Sequence, residues 1–144
     1  MIFSNGLDDK VRDGTKTQTR RLVKDGDRLI DWPMPCMFRR TKSGDTRLTW
    51  RVDQVYAIQS GRGKKGNGRF RITKIRKERI QEINCSDCIA EGLTTRETGY
   101  DAGVHLRDQF SRLWNSIHKK PGDRWDSNPE VWVLEIEPVG VIDG

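Results

Sequence analysis

Between about Val104 and Lys119 the apolar residues Leu106, Phe110, Leu113, Trp114 and Ile117 recur at intervals of 4, 3, 1 and 3. That spacing gathers them on one stripe of a helix, so the segment is expected to be an amphipathic helix lying on a sheet. A shorter helix is expected from Gly6 to about Asp13. Leu7 and Val11 there share one face, Asn5 is its candidate cap, and Gly14 suits the left-handed position past its end. A third helix, from about Ser86 to Glu91, is closed by Gly92.

Elsewhere the pattern alternates. In "RFRITKI" (69–75), Phe70 and Ile72 point one way while Arg69, Arg71 and Thr73 point the other. "MIFS" (1–4), the threonine-rich "TKTQTRRLV" (15–23) and "VWVLEIE" (131–137) also read as strands. So does "TRLTWRVDQVYAIQ" (46–59), with a break near Asp53. Residues 24–46, holding Gly26, Pro33, Pro35 and Gly44, read as loops around one short strand at Arg28 to Ile30, and Asn128-Pro129 marks a turn. Strands separated by a few helices and glycine-rich turns predict one α+β domain over residues 1–144, a small curled β-sheet or barrel with flanking helices.

Composition sharpens this outline. Only 33% of residues are apolar and 33% are charged, so the core has to be economical and five tryptophans become important. Trp114 and Trp132 belong to the core by the helix stripe and the last strand. Trp125 is expected to pack there too, with base stacking as its alternative, and for Trp32 both roles stay open. No apolar run approaches a signal peptide or the roughly 20 residues of a membrane span. Three cysteines, an odd count, suit a reducing interior, so a cytoplasmic protein is expected. Cys85-x-x-Cys88 has no second ligand pair for zinc and no thioredoxin-like context. No metal or cofactor is therefore expected, and Cys88 is assigned to the space beneath the short helix. His118 falls at a helix C-terminus, a favourable place for a cation.

Charge is distributed unevenly. Residues 61–79, "GRGKKGNGRFRITKIRKER", hold nine Lys or Arg against Glu78 alone, leaving 18 of the 27 basic and 20 of the 21 acidic residues to the rest of the chain. A surface that is merely solvated mixes both signs, whereas clustering of one sign suits a polyanion. The loop is not a P-loop, since no Ser or Thr follows a Gly-Lys at the required offset. Arg62, Lys64 and Lys65 of this loop, with Arg69 and Arg71 of the strand after it, are candidate nucleic-acid contacts; a mobile, solvated loop is the alternative.

The candidate chemistry lies in "DGTKTQTRRL" (13–22). A lysine works as a base or nucleophile only when partly deprotonated, and burial together with Arg20 and Arg21 would lower the pKa of Lys16 toward that state. Arg20 and Arg21 point to opposite faces of a continuing strand, so one of them is expected to line the same pocket. On the residues alone, the favoured reading is that Lys16 and the arginines contact phosphates, with Thr19 as a residue of the sheet.

"DGTKTQTRR", the strand "RFRITKIRKERIQEI", the helix "SDCIAEGL" and the ending "FSRLWNSI…WDSNPEVWVLEIE" occur in an order that resembles the ASCH family, a branch of the PUA-like superfamily, and looks most like its phage and prophage members. The chain departs from many relatives where "GDRLIDWPMP" keeps only the start of their G-D-x-L-W-V-R-E strand. The resemblance implies a PUA-like fold and binding of RNA or a nucleoside, with DNA as a further option and a monomer as the default state. It also implies a metal-independent amidohydrolase acting on N4-acetylcytidine, with Lys16, Thr19 and Glu91 as catalytic residues and Thr17, Arg20 and Arg21 around the ligand. A non-catalytic nucleic-acid-binding module and an RNA-cleaving ASCH domain are the alternatives.

Overall fold

The element order in the computed structural model, which describes residues 1–31 and 33–140, is α1 (Leu7–Arg12), β1 (Gln18–Leu22), β2 (Arg28–Ile30), β3 (Cys36–Arg40), β4 (Thr46–Arg51), β5 (Val55–Ala57), β6 (Arg69–Arg79), α2 (Cys85–Ala90), α3 (Gly99–Ile117) and β7 (Glu130–Val139). Trp32 lies outside the described residues. Two antiparallel sheets form, a large one in the order β1-β7-β6-β5 and a small one in the order β2-β3-β4. The α+β expectation holds, and among the described residues the two sheets stay open.

The run "VWVLEI" makes β7 an inner strand buried on both faces. Trp132, Leu134 and Ile136 enter one core with Phe3, Val11, Phe70 and Ile72, to which Met37 and Trp50 reach from the small sheet. Val131 and Val133 enter a second core with Cys88, Leu106, Phe110 and Trp114, beneath α2 and α3. Each such fully buried large side chain is worth roughly 1.5–3 kcal/mol. In β6, a register shift between Ile72 and Lys74 allows Ile72 and Ile75, three apart, to face the same core as Phe70. An extra residue in one strand has this effect, and period-2 alternation alone does not anticipate it.

Several local expectations need correction. "MIFS" is not a strand: Ile2 forms an isolated parallel bridge to Gln59, and the N–H of Phe3 donates to the Gln59 carbonyl at 2.8 Å. Asn5 does not cap α1; it turns at φ 59° into Gly6, which holds the N-cap position at φ 76°. Residues 24–46 contain β3 as well as β2, because Cys36–Arg40 pairs with both its neighbours to bury Met37. Helix α3 begins at Gly99, ahead of the apolar stripe, in a first turn that buries nothing. The break near Asp53 is present as a residue at φ 73° between β4 and β5.

Candidate active site

Strand β1 is an edge strand of the large sheet, paired to β7 alone. Its open edge borders a cleft of about 590 Å³ that also takes in the N-terminal segment and the C-terminal half of α3. That volume lies within the range of small-molecule sites. The floor carries Lys16, Thr19, Arg20, Arg21 and Glu91, and Phe3, Trp50 and Trp114 supply aromatic surface.

Lys16 is placed by backbone contacts before its side chain is considered. After Gly14, at φ 83°, its N–H donates to the Lys10 carbonyl at 2.9 Å, and the next N–H, of Thr17, donates to Ala90 at 2.7 Å. The chain between α1 and β1 is thereby tied to the end of α2. That helix starts with a capping box, in which Asn84 accepts from the Asp87 N–H. It ends with Glu91 as C-cap and Gly92 at φ 103°. The N–H of Leu93 reaches the Cys88 carbonyl and that of Gly92 reaches Ile89, a Schellman closure. A Cβ on Gly92 would stand 3.1 Å from Leu7 Cδ2 and 3.5 Å from Lys16 Cβ, so glycine serves both the turn and the close approach of Lys16.

The ammonium of Lys16, a residue only 2% exposed, donates to Glu91 Oε1 at 2.8 Å, to the Glu91 carbonyl at 2.9 Å and to the Gln18 carbonyl at 2.7 Å. Glu91 Oε2 accepts from Arg20 Nη1 at 2.9 Å. Arg20 also donates to Glu78 Oε1 through Nε and Nη2, at 3.1 and 2.7 Å, and stands 3.4 Å from Asp87. Arg76 holds the other oxygen of Glu78 at 2.6 Å. Two buried cations thus share a network with Glu78, Asp87 and Glu91. Burial pushes the Lys16 amine below its ordinary value, against the pull of Glu91 and with the help of Arg21 and Arg20. For Arg20 burial acts in the same direction, but Glu91 and Glu78 outweigh it and raise the pKa.

Lys16, Thr19 and Glu91 therefore converge on one cleft, and Thr19, 4% exposed, lines it from the strand. Register explains the sides. Thr19 and Arg21 stand opposite Leu134 and Trp132, on the face of the first core, while Arg20 stands opposite Val133, on the face of α2. Both arginines nevertheless line the cleft, contrary to expectation, because side chains from either face of an edge strand border its open side. Arg21 donates to the Ile2 carbonyl at 2.7 Å and lies 5.3 Å from the Phe3 ring centre, and its buried Nε has no partner among the described residues. Thr17 is not brought in: it is exposed and lies outside the cleft lining, and its backbone serves the junction with α2 and β7.

The basic loop is a separate surface. Arg62, Lys64 and Lys65 are exposed between β5 and β6, outside the cleft, on a loop held where Arg12 Nη1 donates to the Asn67 carbonyl at 2.8 Å. Arg69 is exposed on β6, but Arg71 is paired with Glu137 at 3.2 Å. Part of the positive charge read from that segment is thus neutralised across the sheet.

Several lining residues carry no sequence signal. Arg39 is clamped by both oxygens of Asp27 at 2.9 Å and lies 5.4 Å from the Trp50 ring centre. Its partner is 12 positions away in a hairpin not legible from the pattern. Lys24, just past β1, and the Lys119-Lys120 pair, just past α3, also line the cleft; both elements were foreseen, but their meeting at one cleft was not. His118 does cap α3, but it is no favoured cation: its ring centre is 3.9 Å from that of Trp114, and burial lowers its pKa despite Asp123. Cys88 is fully buried, as expected, and its thiol is pushed up to about 11 by burial. Among the described residues no cluster of His, Cys, Asp and Glu is arranged to hold a metal ion. Trp125 is partly buried against the second core, edge-on to Phe110. Among the described residues no helix is long and apolar enough to cross a membrane.

No protein-family model matches the chain, nor does any curated protein. Solved structures that resemble it include these two. One is a protein of Enterococcus faecalis V583 from family DUF984, at 16% identity and a TM-score of 0.59, with 97% of this chain and 74% of that one covered. The other is an ASCH domain from Lactobacillus crispatus JV V101, at 16% identity and a TM-score of 0.51, with 93% and 70% covered. Likeness at this identity speaks to architecture. The chain has an ASCH-like α+β fold.

Proposed function

We propose that residues 1–144 act as one ASCH-like domain whose cleft binds a nucleoside or a nucleotide of RNA, and that Lys16, Thr19 and Glu91 hydrolyse the N4-acyl amide of acetylated cytidine. The observation that carries this reading is the Lys16–Glu91 contact of 2.8 Å, buried beside Thr19 at the floor of an aromatic, cationic cleft. A proton passing from Lys16 to Glu91 leaves a neutral amine and a carboxylic acid, the two forms that acid–base catalysis needs. The amine takes the proton of the Thr19 hydroxyl as its oxygen attacks the acyl carbon. The Glu91 acid protonates the N4 nitrogen as the C–N bond breaks, releasing cytidine. Water then attacks the threonine ester, releasing the carboxylic acid and restoring Thr19. Such positioned proton transfers contribute about 10²–10⁴-fold each.

Incubation with N4-acetylcytidine, followed by chromatography, tests this. Cytidine and acetate should appear in equal amounts, persist in chelator and disappear with Thr19→Ala. Loss of activity in chelator, or full activity in that variant, would contradict the reading.

A non-catalytic RNA-binding module is the second reading. It is favoured by the satisfaction of all three Lys16 protons, which also suits a purely structural pair. It predicts salt-sensitive RNA binding without turnover.

A further inference from the structure

The cleft carries more positive charge than its reactive floor uses. Of the cations that line it, Lys16 and Arg20 are held by Glu91, and Arg39 is held by Asp27. Arg21, Lys24, Lys119 and Lys120 form no ion pair among the described residues, and the remaining carboxylate of the lining is Asp123. These four cations come from two places, the end of β1 and the end of α3. Arg21 sits two strand residues, about 7 Å, beyond Thr19 and on the same face.

Arg21 is the anchor of the argument. Its Nε is buried, has no partner among the described residues, and belongs to a side chain that lines the cleft. An unmet donor on a permanently charged group costs free energy unless an acceptor arrives. The surrounding lysines act as mobile point charges, and low-dielectric walls concentrate their field. Phe3 and Trp50, both buried in the core, form part of the apolar wall behind this end of the cleft.

We propose that this end of the cleft is a phosphate subsite, so that the ligand is a cytidine nucleotide carrying a 5′-phosphate group, free or within a strand, in preference to the bare nucleoside. The inference rests on the cleft being the ligand site proposed above, but it does not need hydrolysis to be correct. Phosphate offers several oxygens at once to Arg21 Nε and to the lysines, and one carboxylate, Asp123, does not offset four cations.

Calorimetric titration with cytidine and with cytidine 5′-monophosphate, at low and moderate salt, tests the subsite. The monophosphate should bind at least 10-fold more tightly, with an advantage that shrinks as salt rises. Lys119→Gln combined with Lys120→Gln, both at exposed positions, should remove most of that advantage. Equal affinities for the two compounds, or an advantage untouched by the double substitution, would overturn the proposal. A short cytidine-containing oligoribonucleotide separates the two sources of the phosphate: tighter binding than the monophosphate assigns the subsite to a strand, and equal or weaker binding assigns it to the free nucleotide. A phosphate preference in a protein that releases no cytidine would remove the chemistry and leave the subsite. Cytidine release without that preference would do the reverse.

Discussion

Arg20 has a side chain with no exposed surface, and it sits between Glu78 and Glu91. Removing one partner from a buried ionic network leaves the others uncompensated, at a cost of about 3–5 kcal/mol. Arg20→Ala should therefore lower the unfolding free energy by an amount of that order, read as a lower denaturant midpoint at unchanged slope, and an unchanged midpoint would mean that the network is not buried in solution. Lys16 is subject to the same physics with a different result. Burial favours its neutral form, so its folded pKa falls below the ordinary 10.5. As pH rises through the lowered value the Lys16–Glu91 pair loses the one proton that the acid step needs, so the rate of amide hydrolysis should fall, with a midpoint below 10.5. Between that midpoint and 10.5 the unfolded chain binds the proton more readily, so this group also makes the fold more stable as pH rises there. A pH–rate profile that is flat from neutrality upward would contradict the role given to Lys16.

At the scale of elements, the site depends on how α1, α2 and β1 end. Gly92 closes α2 in a conformation that side chains disfavour, and it lets Leu7 and Lys16 pass close by. Gly92→Ala should destabilise the protein by more than about 1 kcal/mol and displace Lys16, losing stability and activity together. Retained activity at wild-type stability would show that the close approach is not required. These ends were legible in sequence because glycines mark them: Gly14 and Gly92 stand where the pattern predicted. Strand β3 was not, since Pro33 and Pro35 masked a short strand whose single fully buried residue, Met37, sets no alternation. The cap at Asn5 failed for a different reason. A side chain able to cap an end does not ensure that the chain arrives in extended form, and here it arrives at a positive φ.

For the whole molecule, the sequence divides its positive charge differently from the structure. The segment 61–79 concentrates basic residues, but Arg71 and Arg76 spend theirs on Glu137, Glu78 and neighbouring carboxylates. The exposed remainder on the loop is what a polyanion would meet. If RNA binds there, neutralising Arg62, Lys64 and Lys65 together should weaken binding and reduce the logarithmic salt slope by roughly 2. An unaltered slope would place RNA elsewhere. The cations of the cleft, by contrast, come from residues far apart in the chain. Pairing between Arg39 and Asp27, and the meeting of Lys24 with Lys119 and Lys120, are products of tertiary packing that no local pattern encodes. The ASCH-like architecture was expected from the order of a few motifs, whereas that order left open whether Lys16 and Glu91 meet, and their 2.8 Å contact is a product of the fold.

Cytidine release from N4-acetylcytidine by the wild-type protein and by Lys16→Ala, both verified as folded by circular dichroism, is the most direct test of the central claim. The account predicts turnover by the wild type and a fall of at least about 100-fold in the variant. Equal release by the two proteins, or none by the folded wild type, would contradict it and leave the Lys16–Glu91 pair as a structural feature of a binding domain.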